Sequence, residues 1–382
     1  MNESEFDSDI FIHRNKLYNP AAGTLISGLK PLSIGSVYIG FPAIQAPLSG
    51  YSDRPQRYIT QNLREYVSQF PAYDYLPENV SCSVLGAAAT VAEVMLDQFV
   101  ITVKKSVKVN QRLGLTNSEH PCGAQIMGAI PEEFPPAALR LVQSGFDWID
   151  LNFACPVKKV LGRKRGGFLL SEPETALKMI ALTRDALPDS VPLTIKLRKG
   201  YDSSSQSEDN FYKILDGAFR LGVNAAAIHG RTVLERYSGT ADWDFIANVK
   251  RHLGDKTVLG CGDLFTAQTC INRIIQTKID GVCIARGAIG NPWIFPAFNT
   301  LALGLPQPQE PSFPEQAAVL AEHFNRCVDL YGERRTCSII RKFGIKHAQQ
   351  HPKKDDLIAR FVTVKSKKDW FDILDEFYLK AQ

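Results

Sequence analysis

The sequence predicts an α/β fold: a (β/α)8 barrel of eight parallel strands, or TIM barrel, followed by a small C-terminal helical domain. Short apolar runs rich in β-branched residues alternate with helical stretches over about 250 residues, the length and order of such a barrel. Eight runs of this kind can be counted, and after residue 314 only helical spacing continues. The 382 residues suffice for two cores, and the 45% of hydrophobic residues exclude a disordered chain.

The strands are predicted in chain order at residues 38–45, 80–85 or 91–96, 123–127, 148–152, 193–197, 225–229, 256–259 and 281–285. Helices are predicted between them at 131–144, 172–186, 209–221, 242–252 and 266–277, and several begin with the proline and acidic residues that a first turn favours. A doubly wound open sheet is the alternative. It is disfavoured because Ala46-Pro47-Leu48-Ser49-Gly50, not a glycine-rich dinucleotide motif, follows the first strand.

The chain divides into four predicted segments. Residues 1–36 form an extension without a clear period, residues 37–304 the barrel, residues 305–314 a proline-rich linker, and residues 315–382 the helical domain. The net charge of +4 is unevenly distributed, since residues 333–368 carry 11 Lys and Arg against 3 Asp and Glu. A basic helical face is often only solvated, but this density is also typical of a surface that binds nucleic acid phosphates.

The cysteines and the apolar stretches indicate the cellular compartment of the protein. None of the eight cysteines forms a C-x-x-C pair, so no metal site is predicted and the reduced thiols of a cytoplasmic protein are expected. The first twenty residues predict no secretory signal. The apolar stretch 84–103 contains Glu93, Asp97 and Gln98, which predicts a buried element rather than a membrane span. No membrane association is expected, and no stable protein partner is inferred.

Polar residues stand at the ends of six of the eight predicted strands. They are Gln125, Asn152 with Cys155, Lys196 with Arg198, His229 with Arg231, Cys261-Gly262-Asp263 and Arg286-Gly287. In a barrel these ends meet at one mouth, where the active sites of such folds lie. A single buried Gln, His or Cys is more often structural, but six converging ends favour a functional site.

The small residues after the seventh and eighth strands predict a phosphate site. Loops at these positions bind phosphate through backbone N–H groups in many barrels, and Arg286 would add a charge-assisted hydrogen bond. Tight packing of glycines at the barrel rim is the alternative. Lys196 ends an apolar run and is expected to face the same anion or an electron-rich ring, because a buried lysine needs a partner.

Several motifs occur in a fixed order along the chain. They are 46–53 (APLSGYSD), 123–128 (GAQIMG), 149–156 (IDLNFACP), 158–160 (KKV), 166–167 (GG), 196–198 (KLR), 229–232 (HGRT), 237–243 (YSGTADW) and 285–293 (ARGAIGNPW). In this order the sequence resembles the tRNA-dihydrouridine synthase family, flavin enzymes that reduce uridine in tRNA. The resemblance covers residues 38–296, and residues 315–382 resemble the helical domain of that family.

The resemblance implies FMN across the barrel mouth and NADPH as the reductant. Pro47, Leu48 and Ser49 would line the flavin, Gln125 would hydrogen-bond its ring, and Lys196 and His229 would lie beside the ring and the ribityl chain. The phosphate end would lie at Gly262, Asp263, Ala285 and Arg286, next to Cys261. Cys155 would donate the proton that accompanies the hydride, and Asn152 would help to place the base.

The implied partner is tRNA. Lys158, Lys159 and Arg231 are predicted to contact RNA near the mouth, and Arg334, Arg335, Lys353 and Lys354 in the helical domain. A thiol with an ordinary pKa of roughly 8.5 is mostly protonated at neutral pH and can act as an acid. Lys158 and Lys159 would lower that pKa if they faced the thiol, so they are expected to face RNA phosphates. The target base would have to leave its stack.

Three positions depart from the family pattern. Ala154 and Ala285 replace the usual glycines, and Cys261 replaces an asparagine, so position 261 is expected to lack the side-chain hydrogen bond to FMN. Two alternatives stay open on these grounds: an FMN barrel oxidoreductase that acts on a small pyrimidine or enone, and a non-catalytic RNA-binding paralogue. The basic residues of 333–368 favour RNA over a small molecule. The extra length of 70–120 suggests no function.

Overall fold

The structure, a computed structural model, describes residues 24–67, 82–103 and 114–380. Its strands are β1 (Leu32–Ile34), β2 (Val37–Gly40), β3 (Ala43–Gln45), β4 (Thr90–Val91), β5 (Met95–Leu96), β6 (Cys122–Met127), β7 (Trp148–Phe153), β8 (Leu193–Arg198), β9 (Ala225–His229), β10 (Thr257–Cys261) and β11 (Gly281–Ile284). The segments 68–81 and 104–113, which hold much of the extra length between residues 70 and 120, lie outside the described residues.

The parallel strands close into the predicted barrel. Neighbours pair in the order β3, β4, β6, β7, β8, β9, β10, β11, and β11 returns to β3. Every pair in this ring is parallel, as βαβ connections require. The (β/α)8 prediction is therefore confirmed, and the carboxyl ends of all eight strands meet at one mouth.

The first two barrel strands differ from the prediction in their bounds. The run 38–45 is divided between β2 and β3, because Gly40 takes a left-handed φ of +85° and Pro42 has no N–H for a ladder. The second barrel strand is the later alternative and consists of two short pieces, β4 and β5, which both pair with β6. The earlier alternative forms a 3-10 turn at Cys82–Leu85 instead.

An apolar floor closes the amino-terminal end of the barrel. Strands β1 and β2 form an antiparallel hairpin whose buried Leu32, Ile34, Val37 and Ile39 pack against Trp148 and other inward-facing side chains. Trp148 occupies the space where a Cβ at Gly123 would lie, only 2.2 Å from its ring. This end of the barrel is therefore filled with side chains, and polar chemistry is confined to the mouth.

Helices pack around the outside of the barrel and border its loops. They are α1 (Arg54–Gln61), α2 (Arg64–Val67), α3 (Asp97–Thr102), α4 (Phe134–Gln143), α5 (Lys158–Leu161), α6 (Pro173–Ala186), α7 (Ser205–Arg220), α8 (Trp243–Leu253), α9 (Ala267–Thr277) and α10 (Ile294–Ala302). The predicted helices match α4 and α6 to α9 closely. Helix α7 begins four residues earlier than predicted because the Ser204 side chain caps it.

A second apolar core supports the helical C-terminal domain. Its helices are α11 (Phe313–Tyr331), α12 (Glu333–His347), α13 (Lys354–Val362) and α14 (Lys367–Leu374), followed by a π-helical turn at Asp375–Leu379. Phe324, Phe361 and Trp370 are buried at its centre. A capping box at Ser312 and Glu315 starts α11. None of the described helices is long and apolar enough to cross a membrane.

The helical domain holds the loop that follows β3. Tyr331 donates a hydrogen bond of 3.1 Å to Asp53, Lys342 donates to the carbonyl of Gly50, and Phe343 makes an edge contact with Tyr51. Burial raises the pKa of Asp53 to about 6, and its other oxygen caps α1. The mouth of the barrel is thus built in part by residues more than 270 positions away in sequence.

We expect Tyr331→Phe to lower the free energy of unfolding by about 1–2 kcal/mol, because it removes a donor from a buried carboxyl group. Tyr378→Phe is the matched control, since the Tyr378 hydroxyl is buried without a hydrogen-bond partner among the described residues. This control should be neutral or slightly stabilising. Urea denaturation followed by circular dichroism measures both; equal losses in the two variants contradict the assignment.

Candidate active site

The strand ends bring the predicted polar residues together at the mouth. Strand alternation turns Gln125, Asn152, Lys196, His229 and Cys261 toward the barrel axis on β6, β7, β8, β9 and β10. Pro47 contributes from the loop after β3, where it lines the interior together with Lys196 and Asp150. Leu48 and Ser49 continue this loop, and the carbonyl of Leu48 accepts a hydrogen bond from the side chain of Ser52. The structure therefore brings the predicted flavin-facing set to one end of the barrel.

A buried row of hydrogen bonds connects Gln125 to its neighbours. The Gln125 side-chain amide donates to Asp150 at 2.6 Å, and its oxygen accepts from the Asn152 amide at 2.7 Å. Asp150 also accepts from the Thr194 hydroxyl at 2.6 Å. Asp150 was missed by the sequence analysis, although it stands two residues before Asn152 and so on the same face of β7.

Cys155 lies on a loop that is anchored from two sides. Asn152 Oδ1 accepts hydrogen bonds of 3.0 Å from the N–H groups of Ala154 and Cys155. The buried guanidinium of Arg198 donates to the carbonyl of Ala154 at 2.9 Å and to the carbonyls of Thr232 and Arg236. The backbone at Ala154 thus accommodates a Cβ where the family usually has glycine.

The thiol of Cys155 is half-buried and stays protonated at neutral pH. Burial raises its pKa above the ordinary value, although the N–H of Val157 and the charge of Arg198 act in the opposite direction. Lys158 and Lys159, on α5, are exposed. The cation that faces this thiol is therefore Arg198, which the sequence analysis placed at a strand end but gave no role.

Lys196 and His229 form the polar centre of the mouth. Lys196 Nζ lies 2.8 Å from Cys261 Sγ, which gives the lysine a partner inside the barrel. Burial and the charges of Lys196, Arg198, Arg231 and Arg286 lower the pKa of His229 to about 2. His229 is therefore neutral at physiological pH and offers one donor and one acceptor.

An ion-pair cluster occupies the end of the mouth formed by β9, β10 and β11. Asp263 accepts from Arg231 at 2.7 Å and from Arg286 at 3.2 Å, and the N–H of Ala241 binds the same carboxylate. Burial alone would raise the pKa of Asp263, but these hydrogen bonds hold it below its usual value. Gly262 has a left-handed φ of +121°, and a Cβ there would lie 2.9 Å from the ring of His229. Ala285 precedes the 3-10 turn Arg286–Ala288.

This end of the mouth fits an anion. Four cationic side chains surround His229, whereas Asp263 contributes one carboxylate and is already shared by two arginines. The Arg286 side chain is 42% exposed and so has donors free for a ligand. A phosphate carrying two negative charges would offset most of the net positive charge that remains.

The structure places the predicted RNA-binding residues in three locations. Lys158 and Lys159 are exposed beside the loop of Cys155, and Arg334, Arg335, Lys353 and Lys354 are exposed on α12 and at the start of α13. Arg231 lies inside the protein instead: its side chain is 2% exposed, and it donates to Ser238, Gly239 and Asp263. Arg231 therefore supports the ion-pair cluster rather than the protein surface.

A family model described as dihydrouridine synthase matches residues 44–382 of this chain. The chain belongs to the dihydrouridine synthase family. A "probable tRNA-dihydrouridine synthase" of Rickettsia conorii is 29% identical over 311 residues, which are 81% of this chain and 85% of that protein. One from Mycobacterium tuberculosis is 28% identical over 90% of this chain and 83% of its own length. The "tRNA-dihydrouridine synthase B" of Pasteurella multocida is 30% identical over 81% and 85%.

Solved structures show the same fold at low sequence identity. Morphinone reductase superposes with a TM-score of 0.51 at 13% identity, over 77% of this chain and 94% of that one. A 2-naphthoyl-CoA reductase complex gives 0.54 at 12% identity, over 72% and 52%. At such identities the likeness confirms the barrel fold alone.

Membership in the dihydrouridine synthase family confirms the expected activity. The enzyme reduces uridine in tRNA to dihydrouridine, with FMN as cofactor and NAD(P)H as reductant. These similarities concern the chain as a whole and assign no role to a single residue.

Arg198→Lys should loosen the loop of Cys155, because one ammonium cannot replace a guanidinium that reaches three carbonyls. We expect about 2–4 kcal/mol lower stability and faster alkylation of Cys155 by iodoacetamide, as the thiol gains exposure. Mass spectrometry of the Cys155 peptide over a time course measures the rate. Arg236→Lys is the control, since Arg236 is exposed and contributes only its backbone carbonyl to the contact.

Proposed function

We propose that this dihydrouridine synthase binds FMN across the mouth and reduces the uracil 5,6 double bond of a uridine that has been withdrawn from the RNA stack. One observation carries the assignment of roles: the Cys155 thiol stands on a doubly anchored loop at the rim of a mouth in which four cations surround His229. Proton donor and anion site thus lie on one surface, as cofactor and base require.

The residues that would hold the flavin are those of the mouth. Pro47, Leu48 and Ser49 line one side, while Gln125, Lys196 and His229 offer hydrogen bonds from the barrel axis. The phosphate would lie against Gly262, Asp263, Ala285 and Arg286, with Arg231 holding Asp263 in place. Cys261 acts indirectly, because its sulfur contacts Lys196. When bound, FMN supplies the hydride, and NADPH reduces the flavin again.

The protein's own part in the reaction is to hold the base and to deliver a proton. The Cys155 Sγ–H is the acid, and its raised pKa keeps the proton on sulfur until a carbanionic carbon of the base accepts it. Asn152 fixes the loop through two N–H groups, so the thiol approaches the base from a constant direction. A neutral His229 donates a hydrogen bond without adding a further positive charge.

Two exposed basic surfaces would bind the RNA backbone. Lys158 and Lys159 lie next to the loop of Cys155, and Arg334, Arg335, Lys353 and Lys354 lie on the helical domain. The contact of Lys342 with Gly50 joins this domain to the mouth. Phosphates held by both surfaces would fix the distance between the RNA and the withdrawn base.

We further propose that the enzyme acts in the cytoplasm. Among the described residues seven cysteines are free thiols, a state that a reducing compartment maintains. The absence of a stable protein partner stays a prediction.

Cys155→Ala should keep the yellow colour of bound FMN and lose at least about 100-fold in dihydrouridine formation, because the acid is removed but the cofactor contacts are not. Liquid chromatography with mass detection of digested tRNA measures the product, and visible absorbance measures the flavin. Cys270→Ala, which removes a buried thiol of α9 far from the mouth, is the control. Unchanged turnover in Cys155→Ala would remove it as the acid.

Replacement of Arg334, Arg335, Lys353 and Lys354 by Ala should weaken tRNA binding and flatten its salt dependence. Removal of one phosphate contact lowers the slope of log K against log salt by about 0.9 for a duplex. Fluorescence anisotropy with labelled tRNA at several salt concentrations measures both quantities. Lys178→Ala with Lys213→Ala removes two exposed cations of α6 and α7 that are paired with glutamates, and should leave the slope unchanged. A quadruple variant with the wild-type slope shows that this surface does not touch RNA.

A further inference from the structure

The hydrogen bonds beneath the mouth form one continuous row across three strands and a loop. Thr194 donates to Asp150, Gln125 donates to Asp150, Asn152 donates to Gln125, and the loop N–H groups of Ala154 and Cys155 donate to Asn152. The distances between heavy atoms run from 2.6 to 3.0 Å. Thr194, Asp150, Gln125 and Asn152 are all at most 9% exposed. A polar atom that loses its partner within the row therefore cannot easily hydrogen-bond to water instead.

The direction of the hydrogen bonds through Asn152 and Gln125 is fixed by the loop. Backbone N–H groups can only donate, so Asn152 must turn its oxygen to the loop and its NH2 to Gln125. Gln125 must then accept with its oxygen and donate with its NH2. At the other end the two oxygens of Asp150 accept from Gln125 and from Thr194. Reversal of either amide would set two donors or two acceptors against each other.

We propose that Asp150 is a positioning residue of the reaction: its carboxylate fixes the direction of the Gln125 amide toward the flavin and, through Asn152, the place of the Cys155 loop. This role rests on the proposed function for the contact of Gln125 with FMN. Gln125 retains one N–H and one lone pair beyond its contacts with Asp150 and Asn152. These match the alternating carbonyl and N–H groups on the pyrimidine edge of a flavin in one direction only.

Asp150→Asn alone can keep the row in its original direction. The Thr194 hydroxyl can turn to the carbonyl of Ile149, 3.4 Å away, and accept from the new NH2, while the oxygen at position 150 still accepts from Gln125. Asn152→Asp breaks the row, since its second oxygen then faces the oxygen of Gln125. The Asn152→Asp variant should therefore bind FMN about 10- to 100-fold more weakly and melt at a lower temperature, because a buried pair is mismatched, and Asp150→Asn should change both quantities less.

The double variant Asp150→Asn with Asn152→Asp restores a consistent row in the opposite direction. Position 150 then donates to the oxygen of Gln125, Gln125 donates to position 152, and position 152 still accepts from the loop. The melting temperature of the full-length protein should recover most of what the single variants lose. FMN affinity should stay at least about 10-fold reduced, and the visible bands of the bound flavin should shift, because Gln125 now presents the wrong atom to the ring.

Thr194→Val is the matched control, because it removes a hydrogen bond to the same carboxylate without changing any direction. Its combination with Asn152→Asp should show no recovery. Differential scanning fluorimetry with and without added FMN, and flavin fluorescence titration, measure stability and affinity separately. If Asn152→Asp alone fails to fold, folding of the double variant is itself the recovery.

Two results would overturn the proposal. The first is a double variant whose loss of melting temperature equals the sum of the two single losses, which shows that direction is not transmitted through Gln125. The second is a double variant with recovered stability and wild-type FMN affinity and spectrum, which shows that the direction of Gln125 does not matter to the flavin. A wild-type protein that binds FMN but forms no dihydrouridine refutes the proposed function instead and leaves both measurements intact.

Discussion

Every polar group inside this barrel has to find a partner there, because the floor leaves no route for water from below. The hairpin of β1 and β2 fills the amino-terminal end with apolar side chains around Trp148. Above that floor, Asp150 accepts hydrogen bonds from Thr194 and Gln125. Lys196 donates to the sulfur of Cys261, and Arg198 donates to three backbone carbonyls. The side chains that we propose to contact reactants are therefore held in place by polar neighbours inside the barrel.

The helical domain contributes to the mouth and also carries the basic surface that we propose for RNA binding. Tyr331, Lys342 and Phe343 all contact the loop 50–53, which begins three residues after the proposed flavin-lining Pro47. Arg326 of α11 stacks over Tyr58 of α1 with 3.3 Å between the guanidinium carbon and the ring centroid. This domain therefore joins the surface proposed for RNA to the loop proposed for the cofactor through direct contacts.

Much of the fold followed from the sequence, because parallel strands buried on both faces read as apolar runs and their ends carry the chemistry. The break between strands at Pro42 was not predicted, since β2 and β3 form one β-branched run in which a single proline gives a weak signal. The role of Asp150 was not predicted for a related reason. One carboxylate within an apolar strand does not indicate its hydrogen-bond partners, which come from β6 and β8. The burial of Arg231 was likewise unpredictable, because its acceptors are supplied by the chain after residue 237 and by Asp263.

The sealed floor has a consequence for the order of events. A barrel that is open at one end has a single entrance, and both the nicotinamide of NADPH and the uracil of the tRNA have to reach the same flavin through it. If both reactants have to lie on the same face of the flavin, the oxidised nucleotide has to leave before the base enters. Such an enzyme alternates between two half-reactions, and its steady-state rates give parallel lines in double-reciprocal plots when one reactant is varied at several concentrations of the other.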